Sequence, residues 1–191
     1  MLALRPLISA LIVVSSATPL IGAPDVAGNF RAAVAKVDIT PSASKWLAGY
    51  PARKSTGIHD HIFHRIVALD DGRTQFFLIS SDLCLFAPSV YDEMTAQLKR
   101  ETGIEPIQVW WTVTHTHSAP EVGPPGLPKL MMPERYTHEP DQEYTARVEK
   151  LLIDGIKEAQ AKLAPARLAV VSRRPISIGA LAMSMATSLS G

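Results

Sequence analysis

The stretch from Thr74 to Thr114 narrows the fold most. "TQFFLISS" (residues 74–81) and "IQVWWTVT" (107–114) are continuous apolar runs of strand length, and a segment of helical spacing lies between them. Val90, Met94 and Leu98 recur four apart, Ser89 and Asp92 have capping-box spacing, and Gly103 stands where a left-handed residue would close the helix. Runs this apolar predict strands covered on both faces. A strand–helix–strand order of this kind implies a right-handed parallel crossover. Upstream, "NFRAAVAKVDITP" (29–41) alternates as a strand should, and "IFHRIVAL" (62–69) passes through Asp70-Asp71-Gly72 into the 74–81 run as a hairpin. Residues 42–57 read as a loop. A later helix is expected from Asp141 to Leu163, with Val148, Leu151, Leu152, Ile156, Ala159 and Leu163 as its apolar stripe; Pro165 stops it and Arg167 to Ser172 reads as a strand. The class is α/β: a mixed sheet with parallel βαβ crossover units and an N-terminal hairpin.

At 191 residues the chain has room for one domain, and a net charge of +1 argues against a nucleic-acid partner. Its single cysteine, Cys84, excludes an internal disulfide and any zinc site built from several thiolates. In "SSDLCLFAP" it reads as a small buried hydrophobe. Residues 1–23 have the layout of a secretory signal: Arg5, an apolar core from Leu7 to Val14, then small residues, with Ser15-Ser16-Ala17 and Ala23 as alternative cleavage sites. The apolar core is too short to be a convincing membrane span, so export to the periplasm or medium is expected, with a retained membrane anchor as the alternative.

That order of elements also locates a site. In open parallel sheets, ligands bind outside the carboxyl ends of the strands. His115 and His117 fall at one such end and Asp82 at the other, so all three are expected to converge on one rim. On extended backbone, residues two apart share a face at roughly 6–7 Å along the strand, which would aim both imidazoles at one point, with Thr116 pointing away. Neutral imidazole is a good zinc ligand, and a hydrolytic zinc site takes three protein ligands and a water. Spacing alone leaves open a second reading, in which both histidines are rim residues hydrogen-bonded to backbone. The Asp-His continuation of a metallo-β-lactamase is absent, since Ser118 and Ala119 follow. A second cluster, His59, Asp60, His61 and His64, sits at a strand start, where hydrogen bonding that fixes the loop-to-strand entry is expected. His138 reads as a surface residue. "VGPPGLPKLMMPERY" (122–136) reads as a proline-rich loop, either a lid or lipid-facing wall, or packing for absent structure.

"AVAKVDITP", "LAGYPARKSTGIHDHIFHRIVALDDG", "FLISSDL", "VTHTHSAPEVG" and "YTARVEKLLIDGIKEAQAKLAPARL" resemble, in order and spacing, the N-terminal part of the neutral/alkaline non-lysosomal ceramidase family. The match runs from about Phe30 to Gly179, and T-H-T-H-S-x-P is its most specific element. The resemblance implies a Zn2+-dependent hydrolase that cleaves the N-acyl bond of ceramide to a sphingoid base and a fatty acid, using metal-activated water. It implies His115 as a metal ligand and His117 as the catalytic residue beside the metal, in a proton-transfer or transition-state contact. The implied partner is a lipid amide substrate, with peripheral membrane contact as an option. The family's further ligands, a histidine, a glutamate and a tyrosine, lie downstream of the motif, and this chain has no histidine after His138. The expectation is therefore an incomplete domain over residues 24–179, with an atypical tail over 180–191 that suggests truncation or a frameshift. The alternative function is an inactive exported fragment or metal-binding module. Ala119 stands where the family usually has glycine, which predicts a tight or strained backbone there, and His61 stands where proline is usual.

Overall fold

The computed structural model describes residues 29–48, 52–124 and 126–168. The leader (1–23), the tail (180–191) and the expected strand residues from Ala169 onward lie outside them. The strands are β1 (Arg31–Asp38), β2 (Trp46–Leu47), β3 (Arg53–Lys54), β4 (Phe63–Asp70), β5 (Gln75–Ser81), β6 (Val109–Val113) and β7 (Ala164–Pro165). The helices are α1 (Pro88–Thr102), α2 (Gly126–Met131) and α3 (Gln142–Ala161). The main sheet has the order β6-β5-β4-β1-β7, antiparallel except for the β5–β6 pair, which is parallel and joined through α1. The class is α/β with a mixed sheet.

The hairpin forms as its sequence dictates. Asp70 Oδ1 accepts from Gly72 N at 2.7 Å, and Asp71 Oδ1 accepts from Arg73 N and Thr74 N at 2.8 and 2.7 Å. Gly72 takes a φ of 85°, a left-handed value that glycine adopts without penalty. The pleat then sorts side chains by parity. Ala35, Ile66, Ile79 and Trp111 form one row across the four strands, all buried. They pack with Val90, Met94 and Leu98 of α1 and with Val148, Leu152 and Ile156 of α3 in one core.

One position along, Val34, Val67, Leu78 and Trp110 form the matching row on the opposite face, where Val34 and Trp110 are 72% and 62% exposed. Burial of the apolar runs on both faces is therefore not what is found among the described residues. Among the described residues, the helices cover the side reached by the odd residues of β5 and nothing covers the other. Apolar density gave the strand but not its layering.

Smaller departures have local causes. Helix α1 starts at Pro88 with Ala87 as its cap and no side-chain cap, because proline's fixed φ suits the first helical position; Ser89 is inside the helix, so the capping box is not used. At the other end Gly103, φ 78°, donates to Lys99 O as expected. A 3-10 turn (Pro106–Gln108) delays β6 to Val109. The loop over 42–57 contains the β2–β3 pair, and the loop over 122–136 contains α2 and a further 3-10 turn. On β1 the edge partner is Ala164–Pro165, earlier than expected.

Helix α3 packs closely against the sheet at Gly155. A Cβ there would lie 2.6 Å from Ile66 Cδ1 and 2.7 Å from Val37 Cγ2. Gly155→Ala is thus expected to lower the urea midpoint, because overpacking costs about 1–3 kcal/mol and exceeds the helix-propensity gain of roughly 1 kcal/mol. A midpoint unchanged or raised would mean the helix stands farther off.

Candidate metal centre

The chain leaves β5 at Ser81 and turns at once, with Leu83 N donating to Ser81 O at 2.8 Å. Thr114 N donates to Ser81 O at 2.9 Å and Thr116 N to Leu83 O at 3.2 Å, so the two chains stay side by side past the ends of both strands. These bonds set residues 83–84 against residues 114–116.

His115 is not on extended backbone. Its φ is 58°, the one positive value outside glycine among the described residues. Histidine tolerates this region better than most residues, but the conformation still costs roughly 1–3 kcal/mol and clusters at functional positions. The strain expected at Ala119 is found here instead. Strand parity therefore does not bring the imidazoles together; the left-handed turn does. The rings of His115 and His117 stand 5.1 Å apart at 86°. His115→Gly and His115→Ala remove the same imidazole, so glycine is expected to be the more stable of the two by about 1 kcal/mol, since only alanine carries the left-handed penalty. Equal melting temperatures would argue against the strained backbone.

Cys84 completes the group. One ligand atom each from Cys84, His115 and His117 lie within 4.8 Å of one another. Around a tetrahedral zinc with bonds of about 2.0–2.3 Å, neighbouring donors sit roughly 3.3–3.6 Å apart, so the donors would close by at most about 1.5 Å. His115 Nδ1 lies 2.9 Å from the Cys84 carbonyl oxygen, which can only accept, so Nδ1 carries the proton and Nε2 keeps its lone pair. Cys84 is 3% exposed, and burial pushes its thiol up from the usual range. The residues fit a cation of zinc type. The sequence reading had Cys84's burial right and missed its company.

Asp82, expected on this rim, is turned away from it. Its carboxylate takes Arg65 Nη1 at 2.8 and 2.7 Å and accepts from Phe63 N at 3.0 Å. Parity decides this: Ser81 points into the core, so Asp82 takes the outer side with Arg65.

Beneath the rim runs a continuous chain of hydrogen bonds. Trp111 Nε1 donates to Ser81 Oγ at 2.7 Å, the Ser81 hydroxyl lies 2.6 Å from His64 Nδ1, and His64 Nε2 donates to Val148 O at 3.1 Å. His64 is fully buried. Desolvation holds its pKa down to about 4, against the opposing pulls of the Val148 carbonyl and the Asp82 charge. Its neighbours behave as loop ties: His61 Nδ1 meets Asp38 Oδ2 at 2.6 Å, and exposed His59 meets Asp60 at 2.8 Å, a bond that raises the His59 pKa.

His138 is not a surface residue. It stacks on Trp46 at 4.1 Å and 8°, and its Nε2 lies 2.6 Å from Glu121 Oε2. Glu121 N bonds Trp46 O at 3.0 Å and Ala48 N bonds Ala119 O at 3.1 Å, so β2 grips the segment just after His117 and brings Trp46 and Glu121 together. Arg53 Nη2 also reaches His117 O, at 3.4 Å. Thr116, Ser118 and Pro120 line a cleft of about 790 Å³ with Thr40, Leu47 and Ile58. The cleft and the metal group thus draw on alternate residues of one segment.

No family model and no curated protein matches the chain. Solved structures do. A neutral ceramidase from Pseudomonas aeruginosa aligns with a TM-score of 0.63 and 23% identity, over 72% of this chain and 22% of its own. A ceramidase complexed with C2 aligns with a TM-score of 0.60 and 21% identity, over the same shares. This chain thus spans about a fifth of the structures it matches, and over most of its length it shares the fold of that part of them.

Proposed function

We propose that this chain carries the metal-binding rim of a zinc-dependent hydrolase acting on an N-acyl amide, with ceramide, cleaved to a sphingoid base and a fatty acid, as the substrate favoured. The convergence of His115 and His117 beside the ends of two parallel strands carries the reading, on a fold shared with ceramidase structures. A zinc ion at this place would polarise the amide carbonyl and bring the pKa of a water towards 7. His115 binds it through Nε2, its ring fixed by the Cys84 carbonyl. His117, 5.1 Å away between centroids, hands a proton to the leaving amine. The half-apolar cleft behind Thr116 and Ser118 gives part of the acyl group a place to lie. Leu130 and Met131, 78% and 77% exposed on α2, support a lipid-facing role for the segment that follows the motif.

A second reading has support of its own: the one donor group among the described residues is Cys84, His115 and His117, which suits a metal-binding module without hydrolytic activity. Zinc content together with cleavage of a fluorogenic N-acyl sphingosine separates the two. Near-stoichiometric zinc with turnover supports the enzyme, and zinc without turnover supports the module. Zinc content unchanged in His115→Ala would overturn both. We also propose export through residues 1–23, with secretion or periplasmic release as its result. Among the described residues no helix is long and apolar enough to cross a membrane.

A further inference from the structure

We infer that Cys84 supplies a thiolate ligand to the cation that His115 binds, a donor outside the set implied by the ceramidase resemblance. The inference rests on the metal reading above and adds to it a ligand from this chain. Cys84 is one of three residues that gather a ligand atom each within 4.8 Å of one another, the only such group among the described residues. The same residue orients its fellow ligand, since its carbonyl takes the Nδ1 proton of His115 at 2.9 Å. One residue thus presents both a donor atom and the group that aims the neighbouring imidazole. At 3% exposure the sulfur has little water to stabilise it as an anion, so a bound cation is what would support the charge. Binding balances as Cys–SH plus M2+ giving Cys–S–M+ and one proton released to solvent. His117, its ring 5.1 Å from that of His115, stands beside the pair. A thiolate with an imidazole favours zinc, cobalt or cadmium over magnesium or calcium.

Cobalt(II) added to the whole chain tests this. Cys84 is the single cysteine, so any thiolate-to-cobalt charge-transfer band in the near ultraviolet has one source. The band is expected in the wild-type protein and absent in both Cys84→Ser and Cys84→Ala. These variants are expected to bind cobalt at least ~10-fold more weakly. They should also release one proton fewer per cobalt bound at pH 7. Cobalt bound by the wild type without the band would overturn the inference with no variant needed. The His115→Ala arm isolates the underlying reading. Cobalt bound normally by that variant defeats the metal site itself. Cobalt lost in His115→Ala but held with unchanged affinity and spectrum in Cys84→Ser defeats the thiolate alone.

Discussion

Replacing His115 with alanine is expected to strip the chain of zinc and of any amidase activity together, while the fold survives. The side chain sits at the sheet rim, outside the buried core, so its loss should leave that core intact. What disappears is the rim imidazole whose Nδ1 is held by the Cys84 carbonyl, leaving the Nε2 lone pair for a metal. Groups that merely orient metal ligands cost roughly 10–100-fold in affinity when removed, and loss of a ligand falls at or beyond the upper end of that range. Zinc content after dialysis should drop from near one per chain to background, with an unchanged far-ultraviolet circular dichroism spectrum. His117→Ala is expected to differ in kind, with turnover falling further than zinc content, because its assigned task is to move a proton. Equal zinc in wild type and His115→Ala would remove the ligand assignment.

The second large effect concerns acid. His64 is fully buried and neutral, with a pKa of about 4 against the ordinary 6.5. Between those values the unfolded chain holds one more proton than the folded one, so stability rises with pH across that window and is lost as pH falls from 6.5 towards 4. The loss should approach about 3 kcal/mol by pH 4, read from urea melts at successive pH values. His64→Leu is expected to flatten that slope. At neutral pH the variant should itself be about 2–3 kcal/mol less stable, because the Val148 carbonyl and the Ser81 hydroxyl each lose a partner. An acid profile unaltered by the substitution would place the titration elsewhere. The effect reaches the metal group because Ser81 both takes part in this chain of bonds and receives Thr114 N, the residue before His115.

Periodicity carried most of the elements. Val90, Met94 and Leu98 face the core with Gly103 as the left-handed stop, and Asp70-Asp71-Gly72 makes the hairpin it spells. The α3 stripe held, with Val148, Leu152, Ile156 and Ala159 buried, Leu151 and Leu163 partly so, and Ile153 unforeseen. What periodicity could not carry is which face of the sheet the helices choose, so Leu78 and Trp110 were expected to be covered and are 43% and 62% exposed. At the site, the neighbouring parallel strands put His115 and His117 at a rim, but their meeting depends on a backbone φ that no spacing rule expresses. Asp82 was misplaced because counting to a strand end ignores which side the last residue faces. Cys84 was legible in principle. The Phe77–Val109 register, carried three residues past Ser81, sets it beside the histidines, a step that needs the pairing before the count. His138 was not legible, because its burial depends on Trp46, 92 positions earlier, lying flat against it.

The most direct test of the account is a crystal of the zinc-soaked chain measured on both sides of the zinc absorption edge. One anomalous peak is predicted, within bonding distance of an imidazole nitrogen of His115 and beside His117. A peak only at His59 and His61, or none while the two rings point apart, would contradict it.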